Sequence, residues 1–334
     1  MKNKSNILST SLRSPATIFF SVLALLVAAL LTEYFFFNPI NQYHIQTIFD
    51  DLFSVVFKKR WINVSVVFFS VIFTSILLFR IDSKHKLLIT KSSLCFAVYA
   101  LIFSTNPSNL NNTYVPVFNL LGALAFNSMF DCYKLKKGYI SYVFNVFFIF
   151  SFLSLMDFNA LLYVPFLIYA IYMMRVLTSK TIIAIILGLV LPYWFYAFWC
   201  YHIDSFESLI TLLTNNFTIS WLNINQIQPY EWVHMSYTVL LSIISIKHAL
   251  GSLRNTKIKV RALVSVMIVF MLYTILLTAL NSSLSSMPIS FFYLISSFLI
   301  ARYFSMDISP YKSAIFVFSI FFYLTTFIWS LWLS

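Results

Sequence analysis

Glycine is scarce in this chain, at four residues in 334, and proline is limited to nine. So few of either argues against a loop-rich or disordered chain. It also excludes Gly-rich phosphate loops and GxxxG-driven helix packing. Charge is scarce too: 10% of residues are Asp, Glu, Lys or Arg, against roughly 25% in soluble domains. Cysteine is limited to Cys95, Cys132 and Cys200, far apart and without a CxxC or Cys/His spacing, which excludes zinc and dithiol redox motifs. Cys95 and Cys200 fall in or beside apolar runs, where a packed thiol is expected. No P-loop, Ser-His-Asp arrangement, HExxH or internal repeat is present, and no stretch is polar enough to form a soluble domain.

What is abundant is apolar surface. The chain is 60% hydrophobic and holds 38 Phe, more than a water-soluble shape could bury, so the bilayer is its natural solvent. Segments of spanning character lie near 15–36, 61–79, 87–104, 114–130, 139–156, 159–174, 181–199, 232–247, 262–280, 287–304 and 313–332. The fold class read from them is all-α: a single polytopic transmembrane bundle over 1–334 with about eleven spans. The start, Lys2, Lys4 and Arg13 followed by Ile18 to Leu31, has the form of a signal peptide. It runs on into Glu33, Tyr34 and three Phe instead of a small-residue cleavage site, and is read as an uncleaved first helix.

The net charge of +12 does not imply nucleic acid, because the basic residues are not gathered on one face. They fall in short runs between apolar segments. With the N-terminus in the cytoplasm, the inner connections hold Arg80, Lys84, Lys86, Lys134, Lys136, Lys137, Arg175, Lys180, Lys247, Arg254, Lys257, Lys259, Arg261, Arg302 and Lys312. The outer connections hold only Lys58, Lys59 and Arg60. This is the positive-inside pattern of a bacterial inner-membrane protein, and eleven spans put the C-terminus outside. Most carboxylates lie on the outer side: Glu33, Asp50, Asp51, Asp157, Asp204, Glu207 and Glu231.

Two outer connections are long. In 37–60, Ile45, Ile48, Phe49, Leu52, Phe53 and Val56 recur at helical spacing opposite Gln46, Asp50, Asp51 and Ser54, which predicts an amphipathic interfacial helix. In 200–231, Phe206, Leu209, Ile210, Leu213 and Phe217 form a second stripe behind an Asp204–Glu207 capping pair, followed by an aromatic stretch ending at Trp232. Both predict helices that seal the outer surface or roof a lateral site.

Residues that could carry chemistry are few. Glu33, Asp50 and Asp51 are the candidate catalytic carboxylates, able to act as general base or to bind a divalent cation that grips a phosphate. Lys58, Lys59 and Arg60 are the candidate lipid-phosphate-binding residues. His44, His202 and His234 on the outer side, and His85 and His248 on the inner, have no metal-ligand spacing. Asn119, Asn127 and Asn145 are polar groups of the kind that tie spans together. Asn111-Asn112-Thr113 and Asn216-Phe217-Thr218 are sequon-like, on the outer side. Nothing in the residues names a cofactor.

The run Tyr142-Val143-Phe144-Asn145, then Ser154-Leu155, Pro165, Arg175 and Gly188-Leu189-Val190-Leu191-Pro192-Tyr193, resembles a family of uncharacterised polytopic bacterial inner-membrane proteins. In that family a Phe-Asn pair opens one helix and a basic residue precedes a Gly-Leu-x-x-Pro-Tyr helix. The chain departs from it at Val146 and Phe147, where small residues are expected. The family implies no activity. The layout, with surface helices in the first and fourth outer loops and Glu33-Tyr34 at the outer end of the first span, is also similar to polyprenyl-phosphate-sugar-dependent multi-span (GT-C-type) glycosyltransferases. That similarity implies Glu33, Asp50 or Asp51 as base or metal ligand and a lipid-linked glycan as substrate.

Three functions follow as expectations. The first is a non-catalytic subunit or scaffold of cell-envelope assembly, with lipid and envelope proteins as partners. The alternative is a glycosyltransferase-like enzyme at the outer leaflet. The third is a transporter, which has little support because no paired Gly/Pro-broken spans are visible.

Overall fold

A computed structural model describes residues 15–36, 60–88, 93–111, 114–133, 135, 137–202, 228–253, 256–280, 286–305 and 310–333. Among them the regular structure is helical throughout. In chain order the elements are α1 (Pro15–Phe36), α2 (Arg60–His85), α3 (Leu94–Ser104), α4 (Pro107–Asn111), α5 (Tyr114–Asp131) and α6 (Tyr139–Met156). A 3-10 segment (Phe158–Tyr163) leads into α7 (Val164–Met173). Then come α8 (Ser179–His202), α9 (Pro229–Ser252), α10 (Ile258–Leu280), α11 (Ser286–Ser305) and α12 (Pro310–Leu333). Among the described residues, seven helices are long and apolar enough to cross a membrane: Trp61–His85, Tyr139–Met156, Ser179–His202, Pro229–Ser252, Ile258–Ala279, Met287–Ser305 and Pro310–Trp332.

Two of the expected spans differ from continuous helices. Within the apolar run 87–104 the described helix is the eleven residues of α3, about 16 Å against a hydrocarbon core of about 30 Å, and Leu87 and Leu88 lie outside it. The run 159–174 opens as a 3-10 turn, because Asp157 caps it: its Oδ1 accepts the Asn159 backbone N–H at 3.0 Å and the Asn159 side-chain amide at 2.8 Å. Pro165 then sits in the first turn of α7, where its missing N–H costs nothing.

Helix α11 is the centre of the bundle, with 94% of its apolar window buried; it packs on α3, α5, α9 and α10. Its buried surface is mostly apolar but includes Ser290, Ser296, Ser297 and Arg302. Around its middle the aromatic rings interlock. Phe166 and Phe126 lie 4.6 and 4.8 Å from Phe270, and Tyr163 and Phe150 lie 5.3 and 5.7 Å from Phe291. Such pairs add about 0.5–1.5 kcal/mol each beyond the area they bury. Gly122 of α5 exists for this packing, since a Cβ there would run into the Phe291 ring.

Helices α6 and α8 form a seam from the residues that carry the first sequence resemblance. A Cβ on Gly188 would lie 2.9 Å from the Phe144 carbonyl oxygen, so glycine lets the two backbones meet. Ser151 Oγ donates to the Leu189 carbonyl at 2.6 Å, and Ser154 Oγ lies 2.7 Å from the Tyr193 hydroxyl. Arg175 is the αL residue (φ 61°) of a Schellman ending on α7, with Arg175 N–H on the Tyr172 carbonyl at 2.9 Å and Val176 N–H on that of Ile171 at 3.5 Å. The opposite faces of α8 and α12 stay exposed and apolar, through Ile183, Val190, Trp194 and Phe198 on one and Phe318, Phe321, Leu324 and Ile328 on the other.

Charged side chains gather at one end of the bundle. Lys84 Nζ lies 2.6 Å from Asp131 Oδ2, and His85 Nε2 lies 3.2 Å from Asp131 Oδ1 at ion-pair distance but not at a hydrogen-bonding angle. Lys312 Nζ donates to His248 Nε2 at 3.1 Å and lies 5.1 Å from the centre of the Tyr303 ring.

Candidate functional site: a buried histidine beside a broken helix

Toward the opposite end, the chain leaves helical geometry at Thr105 and Asn106, between α3 and α4. Both residues are buried, as are Ser104 and Asn109. Irregular backbone inside an apolar bundle is tolerated only where its polar groups find partners. Here they find His234, on the first turns of α9, and Tyr293 of α11. His234 is 1% exposed.

The hydrogen-bond directions follow from the chemistry. Thr105 Oγ1 donates to the Leu101 carbonyl at 2.8 Å. Its proton is then committed, so it accepts from His234 Nε2 at 3.1 Å. His234 is therefore the Nε2–H tautomer, and Nδ1 accepts from the Tyr293 hydroxyl at 3.3 Å. The Tyr293 oxygen in turn accepts from Asn106 Nδ2 at 3.3 Å. One directed chain runs from Asn106 through Tyr293 and His234 to Thr105 and the end of α3.

A second strand of the network fixes α12. Thr238 Oγ1 donates to the His234 carbonyl at 2.9 Å and so accepts from the Tyr323 hydroxyl at 3.0 Å. Ser319 Oγ donates to the Ile315 carbonyl at 2.7 Å and accepts from the Tyr237 hydroxyl at 2.9 Å. The rings of His234 and Tyr323 lie 5.0 Å apart. The centre joins α3, α9, α11 and α12. It is not fully matched: Asn109 Nδ2 is buried with no hydrogen-bond partner among the described residues, and the Glu231 carboxylate, one turn before His234, lies within electrostatic reach of Tyr293. Among the described residues, no three His, Cys, Asp or Glu side chains come together in a way that would hold a metal ion.

Glu33 lies in the last turn of α1, and Arg60 is the first residue of α2. Asp50, Asp51, Lys58 and Lys59 lie outside the described residues, as do most of the two predicted interfacial helices. The three cysteines are buried and none is in a disulfide. Burial pushes the Cys132 thiol up to about 12, so it stays protonated and unreactive.

Sequence reasoning named His234 but gave it no partner, because Thr105 and Tyr293 lie 129 and 59 residues away. The signal available was local: Thr105-Asn106-Pro107 closes an apolar run with three helix-ending residues. No protein-family model, no curated protein and no solved structure matches this chain.

Proposed function

We propose that the chain is a multi-pass protein of the bacterial inner membrane, with a cytoplasmic N-terminus, that serves as a non-catalytic helical scaffold in cell-envelope assembly. The observation that carries this reading is the way the described interior is filled. The rings of Phe126, Phe150, Tyr163, Phe166, Phe270 and Phe291 interlock through the middle. Asn106, Tyr293, His234 and Thr105 are bonded to one another in one chain. A bundle built this way holds its shape and presents its outer faces, on α8 and α12, to lipid and to neighbouring helices.

The second reading is a glycosyltransferase-like enzyme acting on a lipid-linked sugar at the outer leaflet. It is favoured by the break at Thr105 and Asn106 beside an intramembrane histidine, a combination typical of functional sites in membranes. In that reading Glu33, Asp50 or Asp51 supplies the base or metal ligand, and Lys58, Lys59 or Arg60 grips the lipid phosphate.

Complementation of a deletion strain separates the two. The triple variant Glu33→Gln, Asp50→Asn, Asp51→Asn is compared with wild type at matched membrane abundance, with lipid-linked glycans profiled. Full function in the triple variant is the scaffold's outcome. Loss of function with a lipid-linked sugar accumulating overturns the scaffold in favour of the enzyme.

A further inference from the structure

Arg302, near the end of α11, is 1% exposed, and its guanidinium has only one edge occupied. Nη1 donates to the Leu87 carbonyl. Nε and Nη2 are buried and have no hydrogen-bond partner among the described residues. These two nitrogens are the ones whose N–H bonds run parallel along one side of the guanidinium. They form the fork that grips the two oxygens of a carboxylate or phosphate. A buried polar group without a partner is costly, and more so when it is charged.

The nearest carboxylate does not fill the fork. Asp82 is buried and lies within electrostatic reach of Arg302, but its Oδ1 accepts the Leu88 backbone N–H at 2.7 Å. Asp131 is held by Lys84 and faces His85. Around the fork, Lys84 and Lys259 add positive charge beside the described carboxylates Asp82 and Asp131. An anion with two oxygens side by side would satisfy the fork in this basic setting.

We propose that the Nε–Nη2 edge of Arg302 is an oxyanion site, and that its occupant is the phosphodiester of an anionic phospholipid headgroup at the basic end of the bundle. A phosphodiester carries a single negative charge and presents two equivalent oxygens. Inorganic phosphate offers the same oxygens with more charge and no acyl chains. Basic clefts between spanning helices are where headgroups of this kind bind.

The test uses the full chain, purified in detergent and delipidated. It is titrated separately with phosphatidylglycerol, with diacylglycerol of the same acyl chains, and with inorganic phosphate. Native mass spectrometry reads lipid retention and thermal unfolding reads stabilisation. Wild type should retain one phosphatidylglycerol and not diacylglycerol, and melt higher in its presence. Arg302→Lys keeps the charge but loses the fork, and should weaken that retention roughly tenfold or more. Lys180→Gln, an exposed basic residue at the start of α8, should leave it unchanged. Stabilisation by millimolar inorganic phosphate, lost in Arg302→Lys and not improved by the lipid, would keep the oxyanion site and overturn the headgroup as its occupant. Equal retention of phosphatidylglycerol and diacylglycerol by wild type would overturn the proposal. So would undiminished retention by a folded Arg302→Lys. If Arg302→Lys does not fold, the wild-type comparison of the two lipids decides alone.

Discussion

Tyr293 and Arg302 sit nine residues apart on α11, roughly 14 Å along its axis, and each ties the central helix to backbone that is not helical. Tyr293 accepts from Asn106 at the break after α3, and Arg302 donates to Leu87 just past the end of α2. The central helix thus holds the chain at two points, one on either side of α3.

The Tyr293 hydroxyl is the middle of the directed chain, so Tyr293→Phe leaves both Asn106 and His234 short of a partner. The expected cost is about 1–3 kcal/mol. In a double-mutant cycle with His234→Phe, unfolding in mixed micelles should show a coupling energy of about 1 kcal/mol. Additive losses would mean that the two side chains do not act as one network.

The α6–α8 seam depends on a missing methyl. Gly188→Ala places a Cβ against the Phe144 backbone, which cannot move aside as a side-chain end can. The expected loss is about 1–3 kcal/mol. Gly251, in the last turns of α9, has nothing within 4 Å of the same atom. There Gly251→Ala should be neutral or stabilising by up to about 1 kcal/mol. Thermal melts of the two variants side by side check the contrast.

Arg175 adopts αL geometry at a cost a glycine would not carry. Arg175→Gly should raise stability by about 1 kcal/mol. An equal or larger fall would mean that the guanidinium makes a contribution worth more than the backbone strain.

Asp157 makes stability depend on pH. Burial pushes its carboxyl up to about 6, against the partial relief given by Asn159, and Oδ2 has no hydrogen-bond partner among the described residues. The folded state holds this proton more tightly than the unfolded chain. The contribution is therefore fully present below about pH 4, the ordinary carboxyl value, and is lost as pH rises through about 6. The difference is about 2–3 kcal/mol between pH 4 and pH 7. Asp157→Asn keeps the cap on the Asn159 N–H and should flatten this part of the profile, read as melting temperature against pH.

Helix positions were legible in the sequence because each depends on a short window. Seven of the expected spans appear as helices of membrane-crossing length and apolarity. The start of α3 was not legible. Leu87 and Leu88 look like the beginning of a span, yet they are held out of helix. Asp82 takes the Leu88 N–H, Lys86 turns at φ 52°, and Arg302, 215 residues away, takes the Leu87 carbonyl. No local pattern encodes a donor at that distance. The same holds for His234, whose partners come from two other helices. The carboxylates proposed as catalytic could be named from the sequence, but Asp50 and Asp51 lie outside the described residues and so were not brought into any geometry.

The break at Thr105 and Asn106 also sets a schedule for biosynthesis. Asn106 leaves the ribosome 187 residues before the tyrosine that accepts its hydrogen bond. At roughly 5–20 residues per second, that interval is on the order of ten to forty seconds. An eleven-residue helix is too short to hold itself across a bilayer through that interval. Until α9 and α11 arrive, α3 must shelter against α1 and α2, its earlier neighbours in the finished bundle. The order of synthesis therefore makes α1 and α2 the first host of a segment whose remaining partners are among the last to be made.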